Sequence, residues 1–129
     1  MKARETALKL KRFETDEKAR KVADLEHMIR EFETIASDLD RQVQAEEDRT
    51  GIKDIKHFAY STFAKSASQR RDNLRASIGE LRMKLEVAQK DHDELKQQLA
   101  RAAADEPREN NAERSSRRRS ERGTSMALR

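Results

Sequence analysis

The apolar residues in the first half of the chain recur at a regular spacing. From Val22 to Val43, one apolar residue follows another at alternating intervals of three and four positions. This alternation is the a/d pattern of a coiled coil, in which about two residues in seven form a narrow apolar stripe. A helix with so narrow a stripe is not stable alone and needs a partner that covers it. The first stripe consists of Val22, Leu25, Ile29, Phe32, Ala36, Leu39 and Val43.

A second stripe with the same alternation runs over residues 64–102. Between the two stripes lies Gly51, the first glycine of the chain, at a position where a helix commonly ends in a left-handed residue. Asp54, Ser61 and Thr62 are alternative N-caps for the helix that follows. The second stripe consists of Ala64, Ala67, Arg71, Leu74, Ile78, Leu81, Leu85, Ala88, His92, Leu95, Leu99 and Ala102.

Two helices joined by a short connection run antiparallel when they pair. The two stripes therefore predict an all-α fold, a long antiparallel two-helix coiled-coil hairpin over residues 1–104. We expect helices over about 2–49 and 59–104, with a loop over about 50–58. Three pairs of apolar residues are expected to face each other in this register: Ile29 with Ile78, Val22 with Leu85, and Val43 with Ala64.

Composition narrows the classes of function. Of the 129 residues, 42% are charged, 34% hydrophobic and 4% aromatic, with a net charge of +4, three glycines and one proline. So little apolar surface does not fill a layered core, and so few turn residues argue against a β-sandwich or barrel. The absence of cysteine excludes a disulfide framework and a thiolate zinc site. No apolar stretch approaches the roughly 20 residues that span a bilayer, and the first residues contain no secretory signal, so we expect a soluble cytoplasmic protein.

The sequence contains no constellation that points to catalysis. It has no Gly-rich phosphate loop, no Gly-x-Ser-x-Gly and no His-Glu-x-x-His. The histidines His27, His57 and His92 lie far apart in the predicted hairpin, so we expect no shared metal site. We interpret His92 as a partly buried polar residue that helps to set the register, with a pH switch as the alternative. A two-helix hairpin also offers no concave pocket, so we expect no enzyme activity, catalytic residue, metal or cofactor.

The first turns of the chain point to a docking surface. Extending the first stripe backward gives Lys18, Thr15 and Lys11, which are poor residues for a coiled-coil interface. We therefore expect loose pairing here, with exposed apolar residues among basic ones, as is typical of a surface that binds a partner. The alternative is a stutter that turns the apolar residues inward. The candidate docking residues are Leu8, Lys9, Leu10, Lys11, Arg12 and Phe13.

Aromatic residues are concentrated beside the predicted loop. Residues 57–65 hold the only Tyr and two of the four Phe of the chain. We favour a small cap that seals this end of the hairpin, and the alternative is a second docking patch.

The last residues differ from the rest of the chain in composition. Pro107 predicts the end of the second helix, and the Asn-, Ser- and Arg-rich residues 105–129 predict a disordered basic tail. The tail is a solvating segment, an electrostatic dock for an acidic partner, or a nucleic-acid site, and the absence of interleaved aromatics disfavours the last. Its basic residues include Arg114, Arg117, Arg118, Arg119 and Arg122.

Two blocks of the sequence carry a family resemblance. The opening block reads Met1-Lys2-x-Arg4-x-Thr6-x-Leu8-x-Leu10-Lys11-Arg12-Phe13 with Asp16-Glu17-Lys18. The second block reads Gly51-Ile52-x-Asp54-x-x-His57-Phe58-Ala59-Tyr60-x-Thr62-Phe63-Ala64-Lys65 with Arg70-Arg71-Asp72-Asn73-Leu74. Over about residues 1–100 the chain resembles the FliJ family of flagellar export coiled-coil proteins, and it is most similar to alphaproteobacterial members.

The resemblance implies an antiparallel two-helix hairpin similar to the rotor stalk of rotary ATP synthases. It implies a role in flagellar type III export, and so in flagellum assembly and motility, with contacts to the export ATPase ring, the export gate membrane protein and export chaperones. It places the protein in the cytoplasm, peripheral at the inner face of the cell membrane at the flagellar base. The residues alone leave two other functions open: a basic coiled coil that binds nucleic acid through its tail, and a structural coiled coil that dimerises into a four-helix bundle.

Overall fold

Two long helices make up the structure, a computed structural model that describes the backbone of residues 2–127 and the side chains of residues 2–105. Helix α1 spans Lys2–Thr50 and helix α2 spans Thr62–Ala127. The two helices pack against each other, and the described part contains no strand. The prediction of an all-α fold is confirmed.

The helix bounds depart from expectation mainly in α2. Helix α1 ends at Thr50, close to the expected position, whereas α2 begins at Thr62, a few residues later than expected. The bounds of α2 also continue past Pro107, although the sequence predicted a helix end at about residue 104. The predicted disordered tail falls on residues whose side chains lie outside the described part, so it stays a prediction.

Hydrogen bonds fix both helix ends at the connection. Gly51 has a left-handed φ of 75°, and its N–H donates to the carbonyl oxygen of Glu47 at 2.8 Å, as expected of a helix C-terminus. Ser61 is the N-cap of α2, because its Oγ accepts a hydrogen bond from the N–H of Ala64 at 3.2 Å. Asp54 accepts from the N–H of Lys56 instead, in a turn inside the connection.

The chain divides into two compact units. The central unit is Ala19–Lys90, and the terminal unit combines Met1–Lys18 with Asp91–Arg129. In the central unit the stripe residues form two apolar clusters, and each of the three expected facing pairs lies within one of them. The first cluster is Leu25, Ile29, Ile78, Leu81 and Ala88, with Val22, Phe32 and Leu85 packed against it. The second cluster is Leu39, Val43, Tyr60, Ala64 and Ala67, with Ile52 and Leu74 packed against it.

Ion pairs join the two helices beside the clusters of the central unit. Arg71 occupies a stripe position, and its Nη1 donates to Oδ1 of Asp40 at 2.7 Å while a second nitrogen lies 3.2 Å from Oδ1 of Asp72. The Asp40 carboxylate is the main reason that the pKa of Arg71 is raised. Arg82 donates to Glu33 at 2.5 Å. The pair with Asp40 gives Arg71, the charged residue of the second stripe, a partner at its half-buried position.

Polar contacts join the two helices in the terminal unit. Its buried side chains in the described part are Leu8 and Thr15, and the Thr15 hydroxyl donates back to the carbonyl oxygen of Lys11. Lys11 also donates to the side chain of Gln98, and Lys18 lies 3.4 Å from Asp91. The stripe residues of α2 in this unit, His92, Leu95, Leu99 and Ala102, are half-buried.

Candidate functional site

Two apolar side chains project from the first turns of α1. Leu10 is 56% exposed and Phe13 is 60% exposed. Residues three apart lie on the same face of a helix, so the two side chains are neighbours. Lys9 and Arg12 beside them are exposed as well. We call Lys9, Leu10, Arg12 and Phe13 the N-terminal patch.

Two of the six candidate docking residues do not belong to this patch. Leu8 is only 7% exposed, and Lys11 is half-buried with its ammonium bound to Gln98. The expectation that Leu8 is exposed was therefore wrong. The backward series through Lys18, Thr15 and Lys11 continues with the same spacing to Leu8, so the inner face of α1 reaches further than its polar residues indicated. No stutter is needed, because the unbroken spacing itself places Leu10 and Phe13 outside.

Tyr60 closes the connection between the helices. Its ring is buried in the second cluster, and its hydroxyl donates to Oε1 of Glu47 at 2.9 Å. Burial raises the pKa of Tyr60, and the hydrogen bond to the Glu47 carboxylate raises it further. Ser61 donates to Glu46 at 3.0 Å, and the bonds from Arg49 and Ser61 lower the pKa of Glu46. The cap that the aromatic residues predicted is thus formed by Tyr60.

Other apolar residues of the same segment face solvent. Phe58 is 96% exposed, and its ring stacks on His57 with the centroids 4.7 Å apart. Ile55 and Phe63 are also more than half exposed. We call Ile55, Phe58 and Phe63 the loop patch. The two alternatives for the aromatic segment therefore apply to different residues, with Tyr60 as the cap and the loop patch as exposed apolar surface.

A further exposed apolar surface lies on α2 and was not predicted from the sequence. Met83 is 71% exposed and Val87 is 60% exposed, one helical turn apart. Neither residue belongs to the second stripe, and their position outside an established a/d series is the signal that could have identified them. Met28 and Ile35 on α1 are similarly outside the first stripe, with smaller exposed fractions.

Several charged side chains of the central unit pair with one another. A groove beside the first cluster is lined by Glu33, Asp40, Arg75 and Arg82, and these form ion pairs across it. His27 pairs with Glu31 at 3.0 Å on the exposed side of α1. Among residues with described side chains, no three His, Cys, Asp or Glu gather closely enough to hold a metal ion.

In the part of the chain that the structure describes, neither helix has a stretch both long and apolar enough to cross a bilayer. No protein-family model, curated protein or solved structure matches the chain.

Proposed function

We propose that this chain is a non-enzymatic coiled-coil stalk component of the flagellar type III protein export apparatus. The sequence blocks that resemble the FliJ family support this proposal. The observation that carries it is the N-terminal patch, an exposed Leu10 and Phe13 flanked by Lys9 and Arg12 on a long helix. A helical stalk that presents apolar residues among basic ones suits docking to an acidic, partly apolar surface of a larger assembly.

The proposal includes an antiparallel coiled-coil hairpin. The contacts between the helices support it, since within the central unit Glu33 meets Arg82 while Asp40, further along α1, meets Arg71, earlier in α2. Within the terminal unit the order is the same: Lys11 meets Gln98, and Lys18 meets Asp91. The burial of residues spaced alternately by three and four adds the heptad feature of a coiled coil.

The N-terminal patch is the proposed contact with the export ATPase ring. Phe13 supplies a large apolar side chain, which loses water on binding, and Lys9 and Arg12 supply charges that orient an acidic partner. Leu8 keeps the patch in place from the buried side of the helix. The loop patch is the second surface available to partners, for which the resemblance offers the export gate and export chaperones. ATP hydrolysis belongs to the ring, and this chain needs no cofactor for its part.

A binding measurement tests the contact. The double variant Leu10→Ala with Phe13→Ala is expected to weaken binding to the purified export ATPase by at least about tenfold, since two exposed anchors are lost. Circular dichroism should show unchanged helix content. The matched control is Met28→Ala with Ile35→Ala, which removes exposed apolar residues from the same helix outside the patch. Equal affinity for the wild type and the patch variant, measured by isothermal titration calorimetry, would exclude this docking surface.

A cellular experiment tests the function itself. A strain lacking this chain is expected to assemble no flagella and to lose swimming motility, and the full chain supplied in trans should restore both. A chain that ends before residue 105 distinguishes this function from nucleic-acid binding through the tail. Because the proposed stalk function resides in residues 1–104, the shortened chain should still restore swimming. Normal swimming of the deletion strain removes the export function.

A further inference from the structure

We propose that a second copy of this chain docks on the exposed face of α2, with the two α2 helices antiparallel and centred near position 81. The face consists of Ala76, Gly79, Met83 and Val87, all of them exposed. This inference concerns only the central unit and does not depend on the proposed export function.

Gly79 is the first observation. A glycine inside a helix makes that helix less stable than an alanine at the same position would. A glycine retained there therefore indicates a structural role. A close approach of another helix is one structural reason for a glycine at such a position. Within this chain that reason is absent, because a Cβ placed on Gly79 would meet nothing within 4 Å. The space above Gly79 is open to an approaching molecule.

Met83 is the second observation, because its position complements the glycine. At 3.6 residues per turn, Gly79 and Met83 lie within a strip of about 40° along the helix, one turn apart. The two are equidistant from position 81. When two copies of α2 cross antiparallel about that position, Met83 of each copy lies over Gly79 of the other. A flexible apolar side chain at 71% exposure then fills a site that has no side chain of its own.

The charges at the two ends of this face select the partner. Asp72 and Lys90 are also equidistant from position 81 and fall in the same strip of the helix. The antiparallel arrangement places Asp72 of one copy against Lys90 of the other, twice. A parallel arrangement would instead place Asp72 against Asp72 and Lys90 against Lys90, which repel. The face is therefore complementary to itself in one direction only, and this commits it to a second copy.

The contacts that Asp72 and Lys90 make within their own chain are compatible with their pairing between two copies. Asp72 contacts Arg71 at 3.2 Å, and Lys90 lies 3.6 Å from Glu86 on its own helix. Both acids and the lysine are more than half exposed, and exposed pairs of this kind contribute little stability. Glu86 in turn would lie near Arg75 of the second copy, so its charge gains a partner when Lys90 moves.

Sedimentation equilibrium of the full chain over a range of concentrations tests the dimer. We expect a monomer–dimer equilibrium, weakened by about tenfold or more in Met83→Lys. Phe58→Lys is the matched control, because it places the same charge on a more exposed apolar residue of the central unit. A chain that remains monomeric at all concentrations overturns the proposal, as does a dimer that Phe58→Lys weakens and Met83→Lys does not.

Charge exchanges at Asp72 and Lys90 and a substitution at Gly79 separate this geometry from other dimers. Asp72→Lys and Lys90→Asp should each weaken association severalfold, and the double exchange should restore it. Gly79→Gln should raise helix stability while weakening the dimer, because the new side chain occupies the site of Met83. If Gly79→Gln does not weaken association, Gly79 does not lie under Met83 of a second copy, and the proposed crossing is wrong. Failure of the double exchange to restore the dimer overturns the antiparallel arrangement.

Cross-linking supplies a direct distance test, since the chain has no cysteine of its own. A mixture of Gly79→Cys and Met83→Cys chains should form the mixed disulfide faster than either chain forms its own. Preferred cross-linking of identical chains contradicts the proposed crossing.

Discussion

The central and terminal units have the same spacing of stripe positions but differ in the residue types at those positions. In the central unit the stripe positions carry residues such as Ile29, Ile78 and Leu81, which form a buried cluster. In the terminal unit the same positions carry Lys11 and Lys18, which reach across to polar partners. Spacing therefore directs the helices to pair in both units, whereas the residue types determine how firmly each pair is held. The exposed residues of the N-terminal patch belong to the less firmly held unit.

The largest difference between the units is expected from truncation of stripe residues. Ile78→Ala should lower the free energy of unfolding by about 2–4 kcal/mol, because it leaves a gap in a buried cluster. Leu95→Ala in the terminal unit should cost only about 1 kcal/mol, because that side chain is half-buried. Urea unfolding followed by circular dichroism measures both. Equal losses would show that the two units are packed alike.

Replacing polar stripe residues of the terminal unit by apolar ones, as in the central unit, should strengthen the pairing of its helices. Lys11→Leu combined with Lys18→Leu places apolar residues at stripe positions, and we expect about 1–2 kcal/mol more protection against local opening. The lost contacts to Gln98 and Asp91 are partly exposed and offset little of this gain. Amide hydrogen exchange over residues 2–18 is the measurement. No added protection would mean that the polar residues do not limit the pairing there.

Two Gly→Ala substitutions in the central unit should have opposite signs. Gly51→Ala is expected to destabilise by about 1 kcal/mol, because φ at Gly51 is 75°, in the left-handed region. Gly79→Ala is expected to stabilise by up to about 1 kcal/mol, because the added methyl enters open space in a helix. Thermal unfolding at low protein concentration compares them. If both lower the melting temperature, the space at Gly79 is not open.

The smallest expected effect is the pH dependence of the cap. Burial and Glu47 raise the pKa of Tyr60 above its ordinary value of 10.0, so the neutral phenol is favoured in the folded chain. The stabilisation is fully present below that ordinary value and is lost as pH rises through the folded pKa. Tyr60→Phe should cost about 1 kcal/mol at neutral pH and abolish this alkaline step. Ultraviolet absorbance of the phenolate reports the titration, and an ordinary pKa would contradict the buried cap.

The sequence was sufficient for the presence of two helices and for most apolar residues of the central clusters, because alternation by three and four is a strong signal. It also predicted the left-handed Gly51, since a glycine between two stripes has few other uses. It was insufficient for Leu8, because the polar residues between it and Val22 concealed the continuing period. The start of α2 required the geometry of Ser61, since three residues were equally good N-caps.

The same spacing of stripe residues made part of the candidate surfaces predictable. Exposure of Leu10 and Phe13 followed from their positions outside the first stripe. The division of the aromatic segment between the buried Tyr60 and the exposed Phe58 did not follow, because local turns rather than a period orient those rings.

The cap has one practical consequence. Tyr60 is the only tyrosine, and the chain has no tryptophan, so its intrinsic ultraviolet fluorescence originates at the connection between the helices. The phenol is also hydrogen-bonded to a carboxylate, and rupture of that bond alters its emission. The fluorescence of Tyr60 thus reports, without any attached dye, whether binding at the N-terminal patch or at the loop patch changes the surroundings of its phenol.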